Sequence, residues 1–208
     1  MAEQRSPEWH QERLGKVTAS AIYKVMARTK SGYGADRANY MAQLVCERLT
    51  GTPTEFFTNA AMQRGIEVEP QARAMYSFQT GRVVEEAEFE PHPSIEMAGA
   101  SPDGLVGDDG LLELKCPNSA THIATLRGDA IDRKYLLQMQ WQMACTGRAW
   151  CDFASFDDRL PEEMALHVQR VERDEKLIEE MEAEVRKFLA EVDATVADLT
   201  NTYMKEAA

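Results

Sequence analysis

The stretch SPDGLVGDDGLLELKCP, residues 101–117, is the part of the sequence that decides the fold. Its middle, DDG at 108–110, is typical of a tight turn between two antiparallel strands. Asp103 stands near the start of the first strand and Glu113 near the end of the second. Because adjacent strands lie about 4.8 Å apart, the hairpin predicts that these two carboxylates converge on one side of the sheet.

The hairpin carries residue types suited to cutting phosphodiester bonds. Two carboxylates are ligands that Mg²⁺ or Mn²⁺ prefers. Lys115 stands two residues after Glu113, so both side chains project from one face of the strand, where a lysine can stabilise an attacking hydroxide. A metal ion would neutralise charge on the phosphate under attack. The pattern predicts metal-assisted phosphodiester hydrolysis, with a plain turn at Asp103 and Gly104 as the structural alternative.

Composition points to one globular domain. The chain has 208 residues, and 44% of them are hydrophobic. No apolar run approaches the roughly 18 residues of a membrane span, and the first fifteen residues lack the apolar stretch of a signal peptide. The four cysteines form no CxxC pair, and together with the four histidines they make no zinc-ligand spacing. We therefore expect a cytoplasmic protein with free thiols.

Charge is unevenly distributed along the chain. The net charge is −12, and residues 149–208 carry 7 Lys and Arg against 16 Asp and Glu. Residues 13–48 reverse this balance, with 7 basic residues against 2 acidic ones. We expect a polarised molecule whose basic segment forms an inner surface that can hold DNA. The alternative is that these cations are solvated helix faces.

Apolar periodicity predicts the order of helices and strands. Helical patterns cover residues 17–28, 37–51, 59–79, 119–128, 132–147 and the long segment from about 173 onward. Strand patterns cover residues 82–90, 94–107, 110–116, 149–157 and 165–172. Thr18 or Ser20 is expected to cap the first helix, and Pro70 predicts an entry point or kink near Glu69. This order predicts an α/β domain with a mixed central β-sheet flanked by helices and a long C-terminal helix.

Four separated motifs resemble the phage lambda-type exonuclease family of viral recombination nucleases. They are WHQERLGKVTAS (9–20), RGIEVEPQA (64–72), SPDGLVGDDGLLELKCP (101–117) and QMQWQMACTGRAWCDFASFD (138–157). The third motif contains the PD…ExK signature of the PD-(D/E)xK nuclease superfamily, and VERDEK (171–176) is also similar to the family. The likeness runs from about residue 9 to residue 176, with the motifs in the family's order.

The resemblance implies a PD-(D/E)xK nuclease core, a reaction and an assembly. The implied enzyme processively degrades the 5′ strand of linear double-stranded DNA and leaves a 3′ single strand for recombination by strand annealing. It needs Mg²⁺, for which Mn²⁺ substitutes. It forms a ring-shaped homotrimer around DNA ends and works with a single-strand annealing protein, in the cytoplasm of a bacterial host of the phage or prophage.

Within a single domain over residues 1–208, we expect a basic helical part at 1–58, the catalytic core at 59–171 and the C-terminal helix at 172–205. Carried over position by position, the resemblance makes Asp103, Glu113 and the Leu114 carbonyl metal ligands, and it makes Lys115 the catalytic lysine. Glu69 matches a helix-borne acid that completes the metal or water shell; an exposed helix glutamate is the alternative.

The resemblance also implies which residues bind DNA. Arg13, Ser20 and Ser101 match residues that hold the 5′ phosphate, since a guanidinium grips phosphate oxygens bidentately. For Ser20, a helix N-cap alone is the structural alternative. Lys30 matches a basic loop residue on the duplex. Met62 matches an apolar wedge in the terminal base pair, with a core methionine as the alternative.

Two glutamines match the family's motif on the helix that follows the hairpin. Gln140 is expected to contact the catalytic site and the 5′ phosphate, and Gln138 is expected to contact DNA.

Two other functions remain open at this point. The chain could be another PD-(D/E)xK nuclease, such as an endonuclease or resolvase, which would also cut closed circular DNA. It could instead be a non-catalytic module that binds DNA ends, although the complete set of Asp103, Glu113 and Lys115 favours catalysis.

Overall fold

A computed structural model describes residues 6–30, 32–54 and 59–204. Within these ranges the helices are α1 (Pro7–Glu12), α2 (Ile22–Val25), α3 (Ala35–Thr50), α4 (Ala60–Thr80), α5 (Ser119–Leu126), α6 (Arg133–Thr146), α7 (Glu162–Ala165) and α8 (Glu175–Tyr203). The strands are β1 (Val17–Thr18), β2 (Arg28–Thr29), β3 (Gly32–Tyr33), β4 (Val84–Glu85), β5 (Glu90–Pro91), β6 (Ala98–Ala100), β7 (Gly104–Val106), β8 (Gly110–Lys115), β9 (Trp150–Phe156) and β10 (Leu166–Glu172).

The central sheet has five strands in the order β10-β9-β8-β7-β4. Strands β8 and β9 are parallel, whereas the other neighbouring pairs are antiparallel. The register sets Glu113 beside Phe153 and Lys115 beside Ser155. The predicted mixed sheet with flanking helices and a long C-terminal helix is therefore confirmed.

The expected hairpin is present, but the strand patterns before it are divided. Residues 94–107 form β6 and β7 rather than one strand, and residues 82–90 contribute only β4 and part of β5. Strands β5 and β6 belong instead to a second sheet, in which they pair in the order β1-β6-β5. Pro102 lies between β6 and β7 and has no N–H to donate to a sheet ladder. The chain therefore leaves one sheet and enters the other at Ser101, Pro102 and Asp103, where the candidate site lies.

Helix boundaries follow local capping chemistry. The Asn59 side chain accepts a hydrogen bond from the Met62 N–H at 2.9 Å, and α4 ends at Gly81, whose φ of 67° lies in the left-handed region. The helix continues through Pro70, so a new start at that proline is not observed. Asp174 caps α8 by accepting from the Leu177 N–H at 3.0 Å, which starts the C-terminal helix later than predicted. Residue 205 lies outside the described residues.

The first predicted helix also differs from the structure. Residues 17–28 divide into β1, a 3-10 turn (Ala19–Ala21) and α2, and Thr18 makes no side-chain capping bond. Ser20 lies inside the turn rather than at a cap. Helix α1, which was not predicted, begins where Ser6 accepts a hydrogen bond from the Trp9 N–H at 3.1 Å.

The basic segment of residues 13–48 lies largely against the acidic C-terminal helix, because α3 packs on α8. Three of its cations form ion pairs with acids of α8: Arg28 with Glu184, Arg37 with Glu191 and Arg48 with Asp193. The expectation that the whole segment offers its charge to DNA is therefore wrong for these three arginines, which neutralise the chain's own acids.

Helix α6 runs through the centre of the molecule. Every residue from Met139 to Cys145 is buried, and the Trp141 ring stacks on His92 with 4.9 Å between centroids. One side of α6 packs against β9, and other contacts reach α2 and α8. None of the helices in the described ranges combines the length and apolar character that crossing a membrane requires.

Candidate active site

The two acids of the hairpin are brought together by the pairing of β7 with β8. Asp103 stands directly before β7, and its Oδ2 accepts a hydrogen bond from the backbone N–H of Leu114 at 2.7 Å. Leu114 follows Glu113 on β8. This bond anchors the Asp103 carboxylate next to Glu113. The predicted convergence of the two carboxylates is therefore present in the structure.

Glu113 is fully buried and receives three side-chain hydrogen-bond donors. Lys115 and Gln138 both donate to Oε1, the latter at 2.7 Å. Gln142 donates to Oε2 at 2.6 Å. A buried carboxylate is costly unless such donors satisfy it. The sequence therefore supplies one lysine from the strand and two amides from α6 to hold this acid.

The two glutamines of the predicted motif have different places in the structure. Gln138 reaches Glu113, whereas Gln140 donates to the Glu172 carbonyl at 2.8 Å and accepts from the Asp174 N–H at 2.9 Å. Gln140 thus ties α6 to the start of α8, and the structure does not bring it to the carboxylates. Because residues four apart share a helix face, the partner of Gln138 is Gln142, which the sequence reasoning missed.

The pKa values of Asp103 and Lys115 are shifted by burial and by the charges around them. Burial, reinforced by the carboxylates of Glu113 and Glu69, raises the pKa of Asp103 to about 8, although Lys115 acts in the opposite direction. Burial alone would lower the pKa of Lys115, but Glu113 and Asp103 outweigh it and hold that pKa above its ordinary value. The site therefore sets two closely spaced carboxyl groups beside a lysine that stays protonated.

The donor set fits a small divalent cation. Mg²⁺ is commonly bound through one or two carboxylates together with substrate phosphates, and Asp103, Glu113 and the Leu114 carbonyl are oxygen donors of that kind. Burial and, after it, the neighbouring carboxylates raise the pKa of Asp103, and a bound cation would offset both effects. Across the described residues, no three His, Cys, Asp or Glu side chains form a preassembled metal cluster. Glu69, expected as a further ligand, forms an ion pair with Arg73 at 3.1 Å.

The predicted phosphate residues Arg13 and Ser101 are in direct contact. The Arg13 guanidinium donates to the Ser101 hydroxyl and, at 2.6 Å, to the Trp9 carbonyl. It lies 3.5 Å above the Trp9 ring and 4.9 Å from the Phe89 ring. Burial lowers the pKa of Arg13 to about 10, against the opposing effect of Glu12, so the group stays charged at neutral pH. Ser101 is two residues from Asp103, which sets this cation at the entry to the hairpin.

An open cavity of about 1560 Å³ connects several predicted residues. Its walls include Ser20, Met62, Glu69, Leu114 and Lys115. Met62 has 51% of its surface exposed, so it is not a core methionine. Lys30 is exposed in the turn between β2 and β3 and lies outside the described lining of this cavity. The cavity lies between α4, which provides Met62 and Glu69, and the hairpin strand that provides Leu114 and Lys115.

Comparisons with known proteins agree with the resemblance read from the motifs. A family model for the YqaJ-like viral recombinase domain matches residues 8–149. The structure is similar to that of LHK-Exo, an alkaline exonuclease from Laribacter hongkongensis, at 54% identity and a TM-score of 0.90. That match covers 97% of this chain and 100% of the other. LHK-Exo in complex with dAMP matches with the same values.

A more distant similarity concerns the fold alone. A phage-related exonuclease from Haemophilus somnus is 18% identical, with a TM-score of 0.69, over 88% of this chain and 96% of the other. A comparison with curated protein sequences finds no match.

Proposed function

The chain belongs to the family of YqaJ-like viral recombinase domains, and from that premise we propose that it is a 5′→3′ exodeoxyribonuclease. It acts on linear double-stranded DNA in the presence of Mg²⁺, processively, and leaves 3′ single strands for recombination by strand annealing. The similarity to an alkaline exonuclease over nearly the whole chain supports the nuclease class.

The observation that carries the proposal is the buried Glu113 with Asp103 beside it. The Glu113 carboxylate is fully buried and is held by a lysine and two amides, and burial raises the pKa of the second acid beside it. A buried acid with a perturbed pKa, next to residues such as Leu114 and Lys115 that line a cavity, is typical of a catalytic site.

Each residue has a role that follows from its chemistry. Asp103, Glu113 and the Leu114 carbonyl would hold Mg²⁺, which when bound supplies positive charge against the phosphate under attack. Lys115 keeps its proton, so it offers a positive charge and N–H donors to phosphate oxygens. Gln138 holds Oε1 of Glu113. In this proposal Glu69, on the cavity wall, orients water.

The proposed 5′→3′ direction of degradation depends on binding of the 5′ end of the DNA strand at the site. Arg13 and Ser101 provide donors for a terminal 5′ phosphate, and Ser20 faces the same cavity as Lys115. In this proposal Met62, exposed on α4, packs against the terminal base pair, and Lys30 contacts the duplex. Each cleavage leaves a new 5′ phosphate, so a pocket for that group draws the DNA forward by one nucleotide.

The proposal includes an assembly and a partner. Three copies in a ring around DNA would gather Lys30 and the other cations that α8 does not pair with toward a common axis. Such gathering lets a chain of net charge −12 bind a polyanion. A single-strand annealing protein would take up the 3′ strand, in the cytoplasm of a bacterial host.

One assay tests the function. Nucleotide release is followed from a linear duplex with 5′ phosphate, a linear duplex with 5′ hydroxyl and a closed circle, each with Mg²⁺, Mn²⁺ or a chelator. We expect release from the linear duplexes only, fastest with 5′ phosphate, and none with the chelator. Cutting of the closed circle would identify an endonuclease instead, and tight binding of ends without release would identify a binding module.

A further inference from the structure

The amide of Gln142 is committed to Glu113. Gln142 has no exposed surface, and its Nε2 lies 2.6 Å from Oε2 of Glu113. A carboxylate only accepts hydrogen bonds, so the NH₂ group of the amide must face it. The amide's orientation is thus determined by Glu113.

This orientation leaves the other end of the amide unsatisfied. Oε1 of Gln142 is buried and has no hydrogen-bond partner in the described structure. An unsatisfied buried carbonyl destabilises a fold. An apolar side chain of the same length in the middle of α6 would avoid the cost of an unsatisfied carbonyl. The benefit of an amide at this position therefore lies in the hydrogen bond that its NH₂ group donates.

The task of the Gln142 NH₂ group follows from how the three hydrogen-bond donors are distributed between the two carboxylate oxygens of Glu113. Lys115 and Gln138 donate to Oε1, and Gln142 donates to Oε2. Rotation of the carboxylate about its last side-chain bond would break contacts on both oxygens. Gln142 supplies the hydrogen bond on the second oxygen, and α6 is held rigidly because the residues around position 142 are all buried.

From this arrangement we infer that Gln142 is a positioning residue, which locks Glu113 in the orientation that binds the divalent cation. The inference rests on the proposed function, because it presupposes that Glu113 is a metal ligand. Groups that hydrogen-bond to a ligating side chain typically change metal affinity or activity by about 10–100-fold when they are removed.

The test compares the binding of Mn²⁺ to the wild-type protein and to Gln142→Met by isothermal titration calorimetry, without DNA. The matched control is Tyr76→Phe, which also removes one donor from a buried carboxylate, since the Tyr76 hydroxyl donates to Asp152 at 2.7 Å. Asp152 neighbours Leu112 in register and so points to the opposite face of the sheet from Glu113.

We expect Gln142→Met to bind Mn²⁺ about 10–100-fold more weakly and to release nucleotides with a lowered kcat but a KM for DNA within about twofold of wild type. Tyr76→Phe should keep wild-type Mn²⁺ affinity. Thermal unfolding reports the stability of each variant, and Gln142→Leu replaces the methionine variant, with the same expectation, if that one does not fold.

Wild-type Mn²⁺ affinity in folded Gln142→Met would overturn the inference and leave the proposed function intact. A wild-type protein that neither binds Mn²⁺ nor releases nucleotides would overturn both. A fall in affinity of the same size in Tyr76→Phe would show a general effect of lost stability and would also overturn the inference.

Discussion

Oδ2 of Asp103 lies 2.7 Å from the backbone nitrogen of Leu114, so the first acid of the hairpin is tied to the strand that carries the second. The bond closes the entry to the hairpin just after Pro102, where the chain passes from the small sheet to the central one. Asp103 thus has a structural task in addition to the metal-binding role proposed for it, and a substitution can separate the two.

Asp103→Asn should separate them. The amide oxygen can still accept from the Leu114 N–H, so the melting temperature should change little, while loss of a charged metal ligand should slow nucleotide release by at least about a hundredfold. Asp108→Asn, in the exposed turn of the same hairpin, is the matched control and should be as active as wild type. Near-normal release by folded Asp103→Asn would remove Asp103 from the metal site.

Arg13→Ala should reduce the preference for 5′-phosphorylated ends. A hydrogen bond to a charged group is worth about 1.5–3 kcal/mol, so the use of phosphorylated duplexes should fall roughly tenfold to a hundredfold. Slow release from 5′-hydroxyl duplexes should persist, because the proposed metal ligands lie on another segment. The measurement is the ratio of initial rates on the two duplexes.

Arg186→Ala controls for the loss of an arginine, since Arg186 binds the Ser94 carbonyl at 2.9 Å on a different surface. For Arg186→Ala, the ratio of initial rates on the 5′-phosphate and 5′-hydroxyl duplexes should equal that of wild type. An unchanged ratio in Arg13→Ala would make Arg13 a structural residue that only orders Trp9 and Ser101.

Glu191→Ala should destabilise the protein without affecting chemistry. Glu191 accepts two hydrogen bonds from Arg37, at 2.7 and 3.1 Å, and only 4% of the Arg37 side chain is exposed. Removing the acid leaves a buried guanidinium without its acceptor, so the free energy of unfolding in urea should fall by about 1–3 kcal/mol. Asp198→Ala, an exposed acid of the same helix, should change it by less than about 0.5 kcal/mol.

Asp157 should contribute stability that disappears in acid. Burial would raise the pKa of Asp157, but hydrogen bonds from Arg159 outweigh it and lower the pKa to about 2. Because the folded pKa lies below the unfolded value of about 3.9, the stabilisation is fully present above about pH 4 and is lost as pH falls toward 2. The melting temperatures of wild type and Asp157→Asn should therefore converge over that range. A constant difference would contradict the assignment.

The sequence alone determined the hairpin and the proximity of Asp103, Glu113 and Lys115 within it. The DDG turn and the two-residue alternation are local features, and residues 103–115 come together whatever the rest of the chain does. The fold class followed from the order of periodic segments for the same reason. The family resemblance added Arg13 and Ser101, whose contact the structure contains.

Only the tertiary structure decided which glutamines contact Glu113 and which acids pair with the basic segment. Residues 139–145 of α6 are buried around the whole circumference of the helix, so the apolar pattern does not distinguish the face that meets β8 from the face that meets α8. The rotation of the helix is set by packing, which places Gln138 and Gln142 on Glu113 and turns Gln140 away. In the same way, the pairing of Arg37 with Glu191 joins residues 154 positions apart, and no local pattern specifies a contact between segments that distant.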